Sequence, residues 1–332
     1  MYSYNDIESI HLEVSSRCQA RCPMCPRRLH GGPLLDNLYL EDIDLGTFVN
    51  WFPRDFVRQL KHIYMCGNLG DPMMAKDTVE IFRYLRETNP DMSLQMHTNG
   101  SGRSENWWKE LAFLNVKVVF GIDGLEDTHK LYRINTDWNK IIQNAKIFIE
   151  AGGDARWDML VFDHNQHQIE DCQQMCVQLG FKGFSIKHTT RFKDGKFDVI
   201  DDDFNVTHTL YPSHKSLEMI EPAEKARQET LPEINCKAKQ DNAIYVAANG
   251  NVSPCCWLDM EWVPQHSNER LDYMIKIKDV PSLHKNTLKE IFDMGYFNKI
   301  KDTWTSCGLK TCSKQCGSFD KLNKQFDENR YR

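Results

Sequence analysis

Three closely spaced cysteines follow an apolar, strand-like segment near the start of the chain. Cys18, Cys22 and Cys25 have the spacing C-x3-C-x2-C and follow the strand-like residues 10–14 after the tripeptide Ser15-Ser16-Arg17. Thiolates are the usual ligands of iron–sulfur clusters, and three cysteines would hold three of the four irons in a [4Fe-4S] cluster. The fourth iron would keep an open coordination site, as catalytic metals do. The alternatives are a partial zinc knuckle or ordinary buried thiols.

A second group of cysteines lies in the last third of the chain, beside a hairpin signal. Cys236 precedes an apolar run at residues 243–248, the dipeptide Asn249-Gly250 follows, and a second short run ends at Cys255. Two strand-like runs joined by Asn-Gly predict a β-hairpin, which would bring Cys236 and Cys255 to the same end.

A predicted helix leads to the remaining cysteines of this region. It begins near Thr287, where Glu290 completes a capping box, and is expected to run through Ile300. It would deliver three further thiols, those of Cys307, Cys312 and Cys316. Two cysteines from the hairpin and two from this segment could form a four-thiolate cluster site, and the alternative is a four-cysteine zinc site.

Strand-like and helix-like segments alternate through the first half of the chain. Helical periodicity marks residues 75–87, 138–150 and 167–179. Such alternation predicts an α/β fold with a parallel sheet, and six units rather than eight predict a partial (β/α)6 TIM-like barrel. The alternative is a doubly wound open sheet. The six predicted strands are residues 8–14, 61–66, 93–98, 116–122, 156–162 and 183–188.

Polar loops follow the first four predicted strands in order. The cysteine triplet follows the first strand, and residues 66–72 (Cys-Gly-Asn-Leu-Gly-Asp-Pro) follow the second. Residues 98–100 (Thr-Asn-Gly) and 121–124 (Gly-Ile-Asp-Gly) follow the third and fourth. Because the active sites of β/α barrels lie at the C-terminal ends of the strands, we expect these four loops to meet at one rim.

Composition narrows the class of protein without naming a reaction. The formal net charge of −6 over 332 residues gives no broad basic field for binding nucleic acid or a membrane surface. No apolar run is long enough to cross a bilayer, and the first residues do not form a signal peptide. We therefore expect a cytoplasmic protein, in which the 12 cysteines serve metal or redox chemistry rather than disulfides.

The cysteine triplet and the rim loops together resemble the radical SAM enzyme superfamily, and specifically its subgroup with a C-terminal SPASM/twitch auxiliary iron–sulfur domain. The resemblance implies a [4Fe-4S] cluster that delivers an electron to S-adenosylmethionine (SAM) and so releases a 5′-deoxyadenosyl radical. It also implies three regions: a partial TIM barrel at residues 1–200, a linker with short helices at 201–232, and a small α+β SPASM/twitch-like domain at 233–332.

The resemblance also implies SAM contacts at the rim. Gly70 and Asp71 resemble the family's Gly-Glu-Pro segment, which meets the SAM amino group, and Asn99 matches a polar residue near the ribose. Asp123 lies in a run similar to Ser-x-Asp-Gly, with Gly121 in place of the usual Ser. Arg133 matches the arginine that pairs with the SAM carboxylate, a partner that suits a guanidinium fork.

In the auxiliary domain, Cys236, Gly250 and Cys255 match the subgroup's pattern of Cys, spacer and Gly-x4-Cys. A cysteine pair should complete the ligand set. The preferred pair is Cys312 and Cys316, and Cys307 is the substitute for either of them. Cys256 is expected to be a neighbour rather than a ligand, because adjacent side chains of a regular strand point in opposite directions.

The resemblance implies a radical SAM oxidoreductase with two [4Fe-4S] clusters. Its radical would take a hydrogen atom from a small polar substrate, such as an amino sugar or cyclitol, and the auxiliary cluster would accept an electron. Lys187, His188 and Arg191 are expected to follow the sixth strand, where they could meet that substrate or only supply ordinary rim polarity. A reducing partner such as flavodoxin or ferredoxin would supply electrons.

Two other functions stay open at this point. One is maturation of a ribosomally made peptide. A small-molecule substrate is favoured over a peptide because the chain begins almost at the first strand, without room for a peptide-recognition domain before it. The other is a non-catalytic metal-binding scaffold, which would carry the cysteines without the SAM-facing loops.

Overall fold

An eight-stranded, mostly parallel sheet organises the protein. The computed structural model describes residues 1–36, 38–219, 233–260, 281–305 and 309–317. The sheet order is β10-β9-β1-β2-β3-β4-β5-β6, and a separate antiparallel hairpin is formed by β7 and β8. The strands are β1 (Ser9–Leu12), β2 (His62–Met65), β3 (Ser93–Thr98), β4 (Val116–Gly121), β5 (Ala155–Val161), β6 (Gly183–His188), β7 (Phe197–Ile200), β8 (Val206–Leu210), β9 (Ala243–Val246) and β10 (Val252–Ser253).

Helices connect the strands in the first half, and further helices lie among the described residues of the last third. The first seven helices are α1 (Leu45–Trp51), α2 (Arg54–Val57), α3 (Thr78–Thr88), α4 (Glu105–Phe113), α5 (Glu126–Tyr132), α6 (Trp138–Glu150) and α7 (Ile169–Leu179). Residues 214–219 are also helical. The others are α8 (Lys237–Gln240), α9 (Cys256–Met260), α10 (Leu288–Asp293), α11 (Tyr296–Asp302) and α12 (Lys310–Cys316).

The order of β1 to β6 is sequential, which is the topology of a partial barrel. All six predicted strands are confirmed, and they lie side by side as parallel neighbours. A doubly wound sheet would instead reverse its strand order at a switch point. The prediction of a partial TIM-like barrel is therefore confirmed.

The two faces of the sheet differ in chemistry. Leu12, Met65, Met96 and Val118 are neighbours in register, and they belong to the large buried cluster that includes the apolar sides of the helices. The residues that alternate with them face the other way and are largely polar. We call this second side the inner face, and it is the side on which the rim loops converge.

The hairpin at Asn249-Gly250 extends this sheet rather than forming a separate one. β9 pairs in parallel with β1, and β10 pairs antiparallel with β9. Gly250 has a φ of +76°, a left-handed conformation that glycine adopts without a steric penalty. The hairpin prediction is confirmed, and the last third of the chain is joined to the barrel by backbone hydrogen bonds.

One predicted helix is two helices. The capping box at Thr287 and Glu290 is present, and α10 begins where predicted. The helix ends at Asp293, however, because Gly295 takes a left-handed φ of +73° and starts the separate helix α11. The prediction that a single helix reaches Ile300 is therefore wrong. Among the described residues, no helix is long and apolar enough to cross a membrane.

Candidate functional site

The loop after β1 holds Cys18, Cys22 and Cys25, here called the first cysteine group. The side-chain amide of Asn99 donates to the Cys18 sulfur at 3.7 Å, and the Arg133 guanidinium donates to the Cys22 sulfur at 3.9 Å. Burial raises the pKa of all three thiols, and it raises that of Cys22 to about 11 although the charge of Arg133 opposes the shift. Hydrogen-bond donors therefore face the Cys18 and Cys22 sulfurs, which suits anionic sulfur ligands.

Cations surround this group. Arg27 donates to the Cys18 carbonyl oxygen at 2.7 Å, and Arg191 donates to that of Met24 at 3.1 Å. Burial raises the pKa of Cys25, but the charges of Arg27, Arg191 and Arg133 oppose this shift and favour the thiolate. The donor set and its field thus fit an iron–sulfur cluster held by three thiolates.

Asp71 joins the loops after β2 and β3. Its carboxylate accepts hydrogen bonds from the Thr98 hydroxyl at 2.8 Å, the Met73 amide at 3.0 Å, and both the backbone and side-chain nitrogens of Asn99 at 2.7 and 2.6 Å. These four bonds use the acceptor capacity of a carboxylate. Asp71 therefore fixes Asn99, which in turn accepts from Gln19 at 2.7 Å and donates to Cys18.

Asp123 and Arg133 form the most enclosed ion pair at the rim. The Arg133 Nε donates to Asp123 Oδ2 at 2.6 Å, and the Leu160 amide donates to Oδ1 at 2.7 Å. The Asp123 side chain is fully buried, whereas 23% of the Arg133 side chain is exposed. A Cβ at Gly121 would lie 2.7 Å from Arg133 Nη2. The missing side chain at Gly121 therefore leaves the space that the guanidinium occupies.

His129 ties Asp123 to the turn that carries Arg133. The Asp123 amide donates to His129 Nδ1 at 3.1 Å, and His129 Nε2 lies 3.1 Å from the Thr136 hydroxyl. That hydroxyl donates to the Arg133 carbonyl oxygen at 2.6 Å. Nδ1 must keep its lone pair to accept, so the imidazole is neutral with its proton on Nε2. Burial lowers the pKa of His129 to about 4.

Comparison with known proteins identifies the family to which this site belongs. Residues 12–175 match the Radical SAM superfamily, and this segment contains the first cysteine group, Asn99, Asp123 and Arg133. The chain belongs to the radical SAM superfamily. Members of that superfamily use a [4Fe-4S] cluster and SAM, and the first cysteine group fits the cluster. The resemblance inferred from the cysteine spacing and the rim loops is confirmed.

Two curated proteins are similar in sequence. The FeMo cofactor biosynthesis protein NifB of Methanocaldococcus jannaschii is 29% identical over 161 residues, which are 44% of this radical SAM chain and 52% of NifB. The tungsten-containing aldehyde ferredoxin oxidoreductase cofactor-modifying protein of Pyrococcus furiosus is 23% identical over 264 residues, or 74% of this chain and 70% of that protein. The match to NifB thus spans only about half of that protein.

Solved structures share the fold at low sequence identity. Streptococcus suis SuiB bound to SAM has a TM-score of 0.58 and 14% identity, covering 92% of this chain and 72% of SuiB. The protein anSMEcpe with bound AdoMet has a TM-score of 0.58 and 15% identity, covering 96% of this chain and 87% of anSMEcpe. These likenesses support the partial-barrel fold.

Glu13 is a rim residue of this radical SAM protein that the sequence analysis did not single out. It follows β1 and is fully buried. Its carboxylate accepts from the amides of Leu69 and Gly70 at 2.6 and 3.1 Å, and from the hydroxyls of Tyr39 and Tyr245 at 3.2 and 3.1 Å. The signal in the sequence was a glutamate inside an apolar strand, where a charge needs several donors.

The inner face of the barrel presents a row of polar rings. Tyr245, His11 and Tyr64 are neighbours in register, with ring centroids 4.8 and 4.7 Å apart, and Tyr64 meets His97 at 4.9 Å. Barrel interiors are usually filled with branched aliphatic side chains. The inner face here is therefore suited to a polar ligand rather than to forming an apolar core.

The three basic residues expected after the sixth strand have structural partners. Lys187 and His188 lie within β6 rather than after it, so that expectation is wrong for both. Lys187 forms an ion pair with Asp158, and His188 Nδ1 lies 3.2 Å from the Ser213 hydroxyl. Arg191 follows the strand and donates to the Met24 carbonyl, as described above. Lys187 and Asp158 remain part of the polar inner face.

Cys236, Cys255, Cys312 and Cys316, here called the second cysteine group, line one cavity. A hydrogen bond between Cys236 and Cys316 raises the pKa of Cys236 and lowers that of Cys316. Burial raises the pKa of Cys255, as does the charge of Cys312 and Cys316 nearby. The structure thus brings together the four thiols that the sequence analysis preferred.

The predictions for the two other cysteines of this region have different outcomes. Cys307 lies outside the described residues. Cys256 was expected to point away from the cluster because it continued a regular strand, but β10 ends at Ser253 and Cys256 begins α9. Its side chain is buried against Tyr245 and Ala247. The stated reason is therefore wrong, and Cys256 packs beside the barrel sheet.

Acid should destabilise the protein through His129. The folded protein holds this imidazole neutral down to about pH 4, whereas the unfolded chain takes up the proton below its ordinary pKa of 6.5. The free energy of unfolding should therefore fall as pH is lowered from about 6.5 to about 4. Anaerobic urea unfolding at several pH values should show a shallower slope for His129→Gln than for the parent.

The exposed His167 provides the matched control, since His167→Gln should keep the parental slope. His164, whose pKa burial also lowers to about 4, should leave some pH dependence in His129→Gln. An unchanged slope in His129→Gln would show that this imidazole does not titrate between the folded and unfolded states.

Proposed function

We propose that this chain is a radical SAM oxidoreductase that takes a hydrogen atom from a small polar substrate. The observation that carries the proposal is the first cysteine group, three thiols with Asn99 and Arg133 directed at their sulfurs. When bound there, a [4Fe-4S] cluster and SAM supply a 5′-deoxyadenosyl radical, and a second [4Fe-4S] cluster accepts the electron that the oxidised substrate gives up.

The rim residues would bind and orient SAM. Arg133 offers a planar fork for the methionine carboxylate, and the buried Asp123 holds that fork in place. Asp71 has both carboxylate oxygens engaged within the protein, so the contact with the SAM amino group would fall to the backbone of Gly70 and its neighbours. Asn99 would lie between the cluster ligand Cys18 and the ribose.

The second cysteine group would hold an auxiliary cluster. Four thiols lining one cavity would occupy all four irons, so the substrate could not bind an iron there directly. The role of this cluster would then be electron transfer or structural support. Electron transfer agrees with an oxidation in which the substrate loses a hydrogen atom, a proton and an electron. Flavodoxin or ferredoxin would be the external electron donor.

The polar inner face supports a small polar substrate. His11, Tyr64 and His97, together with the Lys187–Asp158 pair, give this face a polar character that suits a hydroxylated or amino-bearing molecule such as an amino sugar or cyclitol. The names of the two curated relatives, which concern cofactor biosynthesis and cofactor modification, are also consistent with a small-molecule substrate.

Peptide maturation is the second candidate function, and two fold comparisons favour it. SuiB has been solved bound to its precursor peptide SuiA, with a TM-score of 0.56 to this chain. The protein anSMEcpe has been solved with a Cp18Cys peptide, also at 0.56. Both share 13–14% identity with this chain, so they support the fold more strongly than the substrate.

Iron content tests the two cluster assignments. Anaerobically reconstituted protein should hold about eight irons per chain, from two four-iron clusters. Replacing Cys18, Cys22 and Cys25 by Ala should leave about four, as should replacing Cys312 and Cys316 by Ala. Metal analysis and absorbance report the count. Tightly bound zinc at the second cysteine group would contradict the auxiliary cluster.

SAM binding tests the role of Arg133. The reduced, reconstituted protein should cleave SAM slowly to 5′-deoxyadenosine without substrate. Arg133→Ala should weaken SAM binding by about 1.5–3 kcal/mol, the range for a hydrogen bond to a charged group. Arg133→Lys should show part of this loss, because it keeps the charge but not the fork. Equilibrium dialysis measures the affinity, and the exposed Arg58→Ala variant is the control.

Two results would count against these assignments. Parental SAM affinity in a folded Arg133→Ala protein would remove Arg133 from the site. Failure of the fully reconstituted, reduced protein to produce 5′-deoxyadenosine would contradict the proposed enzyme class.

The origin of the abstracted hydrogen tests the substrate class. An extract of cells grown in deuterium oxide can be divided by ultrafiltration and chromatography into a small-molecule fraction and a peptide fraction. The small-molecule fraction should transfer deuterium to 5′-deoxyadenosine, as detected by mass spectrometry. A Cys18→Ala variant supplies the blank. Deuterium transfer from the peptide fraction alone would favour peptide maturation instead.

A further inference from the structure

Residues 67–71, here called the glycine loop, lie between the first cysteine group and the last third of the chain. On one side, a Cβ at Gly70 would lie 1.8 Å from the Ser15 carbonyl oxygen, and the Asp71 amide donates to the Arg17 carbonyl at 2.9 Å. The glycine loop is therefore pressed against the segment that leads into Cys18, with no space for a side chain at Gly70.

On its other side, the glycine loop contacts helix α9. The Asn68 side-chain amide donates to the Cys256 carbonyl oxygen at 3.0 Å and lies 3.4 Å from Asp259 Oδ2. Cys256 directly follows Cys255, which lines the cavity of the second cysteine group. Helix α9 also packs against α12, which carries Cys312 and Cys316. A structural change around that cavity would therefore be transmitted to Asn68 through the short helix α9.

A second connection runs through Glu13. Its Oε1 accepts from the amides of Leu69 and Gly70, and its Oε2 accepts from the Tyr245 hydroxyl. Tyr245 belongs to β9 and is fully buried, so this bond joins the glycine loop to the strand that lies between Cys236 and Cys255 in the chain. All of the partners of Glu13 are donors, and a buried carboxylate loses much stability when one is removed.

We propose that the glycine loop couples SAM binding to the second cysteine group, with Glu13 as the positioning residue that holds the loop in place. The inference rests on the proposed function, because it takes the glycine loop as part of the SAM site. An ordered second cysteine group fixes α9 and Tyr245, and these fix the loop in the conformation that receives SAM. Loss of that group releases the loop and lowers the affinity for SAM.

The coupling can be measured as a thermodynamic cycle. In reconstituted protein, replacing Cys312 and Cys316 by Ala should weaken SAM binding at least about 5-fold, the lower end of typical coupling between sites. The Asn68→Ala/Tyr245→Phe variant should bind SAM more weakly from the start. Adding the two cysteine substitutions to it should cost little more, because the connection is already broken.

Two controls separate coupling from general damage. Tyr84→Phe removes a buried hydroxyl bond of 3.0 Å to the Phe52 carbonyl, far from the rim, and should leave SAM affinity unchanged. Tyr39→Phe removes the other hydroxyl that donates to Glu13 Oε2 but should keep the dependence on the second cysteine group. In Asn68→Ala/Tyr245→Phe, the KM for SAM in the cleavage reaction without substrate should rise.

A readout without SAM or turnover keeps the inference separate from the proposed function. Hydrogen exchange at the Leu69 and Gly70 amides should become faster in Asn68→Ala/Tyr245→Phe and in the Cys312/Cys316 variant, but not in Tyr84→Phe. If the parent failed to cleave SAM while these amides responded, the proposed function would fail and the coupling would stand. Unchanged exchange, or fully additive losses of SAM affinity, would overturn the coupling.

Discussion

Buried carboxylates at the ends of strands are the constraint on which the rim depends. A carboxylate removed from water must collect hydrogen-bond donors, and backbone amides of nearby loops are the donors within reach. Glu13 and Asp123 lie just beyond β1 and β4, and Asp71 lies in the loop after β2. Glu13 and Asp71 accept from loop amides, and Asp123 accepts from the Leu160 amide of β5. The loops that carry the candidate SAM contacts are therefore held in place by buried carboxylates.

This arrangement explains how an irregular site can be rigid. Loops lack the repeating hydrogen bonds of strands and helices, so their amides need other partners. A single carboxylate here accepts from two to four donors at once, backbone amides among them, and leaves one geometry in which all are paired. Arg133 gains its orientation in the same way, because Asp123 holds its Nε while its Nη1 reaches Cys22. The cofactor site is thus preorganised by the hydrogen bonds and the ion pair that these buried carboxylates form.

The fold was more predictable from sequence than the connections within the site. Alternating apolar runs and the Asn-Gly turn are local signals, and the structure follows them closely in β1 to β6 and in the hairpin. Glu13 was missed because its four donors come from segments far apart in the chain, which no local pattern reports. The break before α11 was missed because the sequence analysis did not consider Gly295, which adopts a left-handed conformation and ends the helical run.

The parallel pairing of β9 with β1 has a consequence for how the chain folds during synthesis. β1 is formed from residues 9–12, but its second neighbour, residues 243–246, leaves the ribosome much later. Until then, one edge of β1 has unpaired amides and carbonyls, which can pair with other chains. Contacts this distant in sequence also slow folding. The nascent barrel therefore keeps an open edge at β1 until the final third has been made.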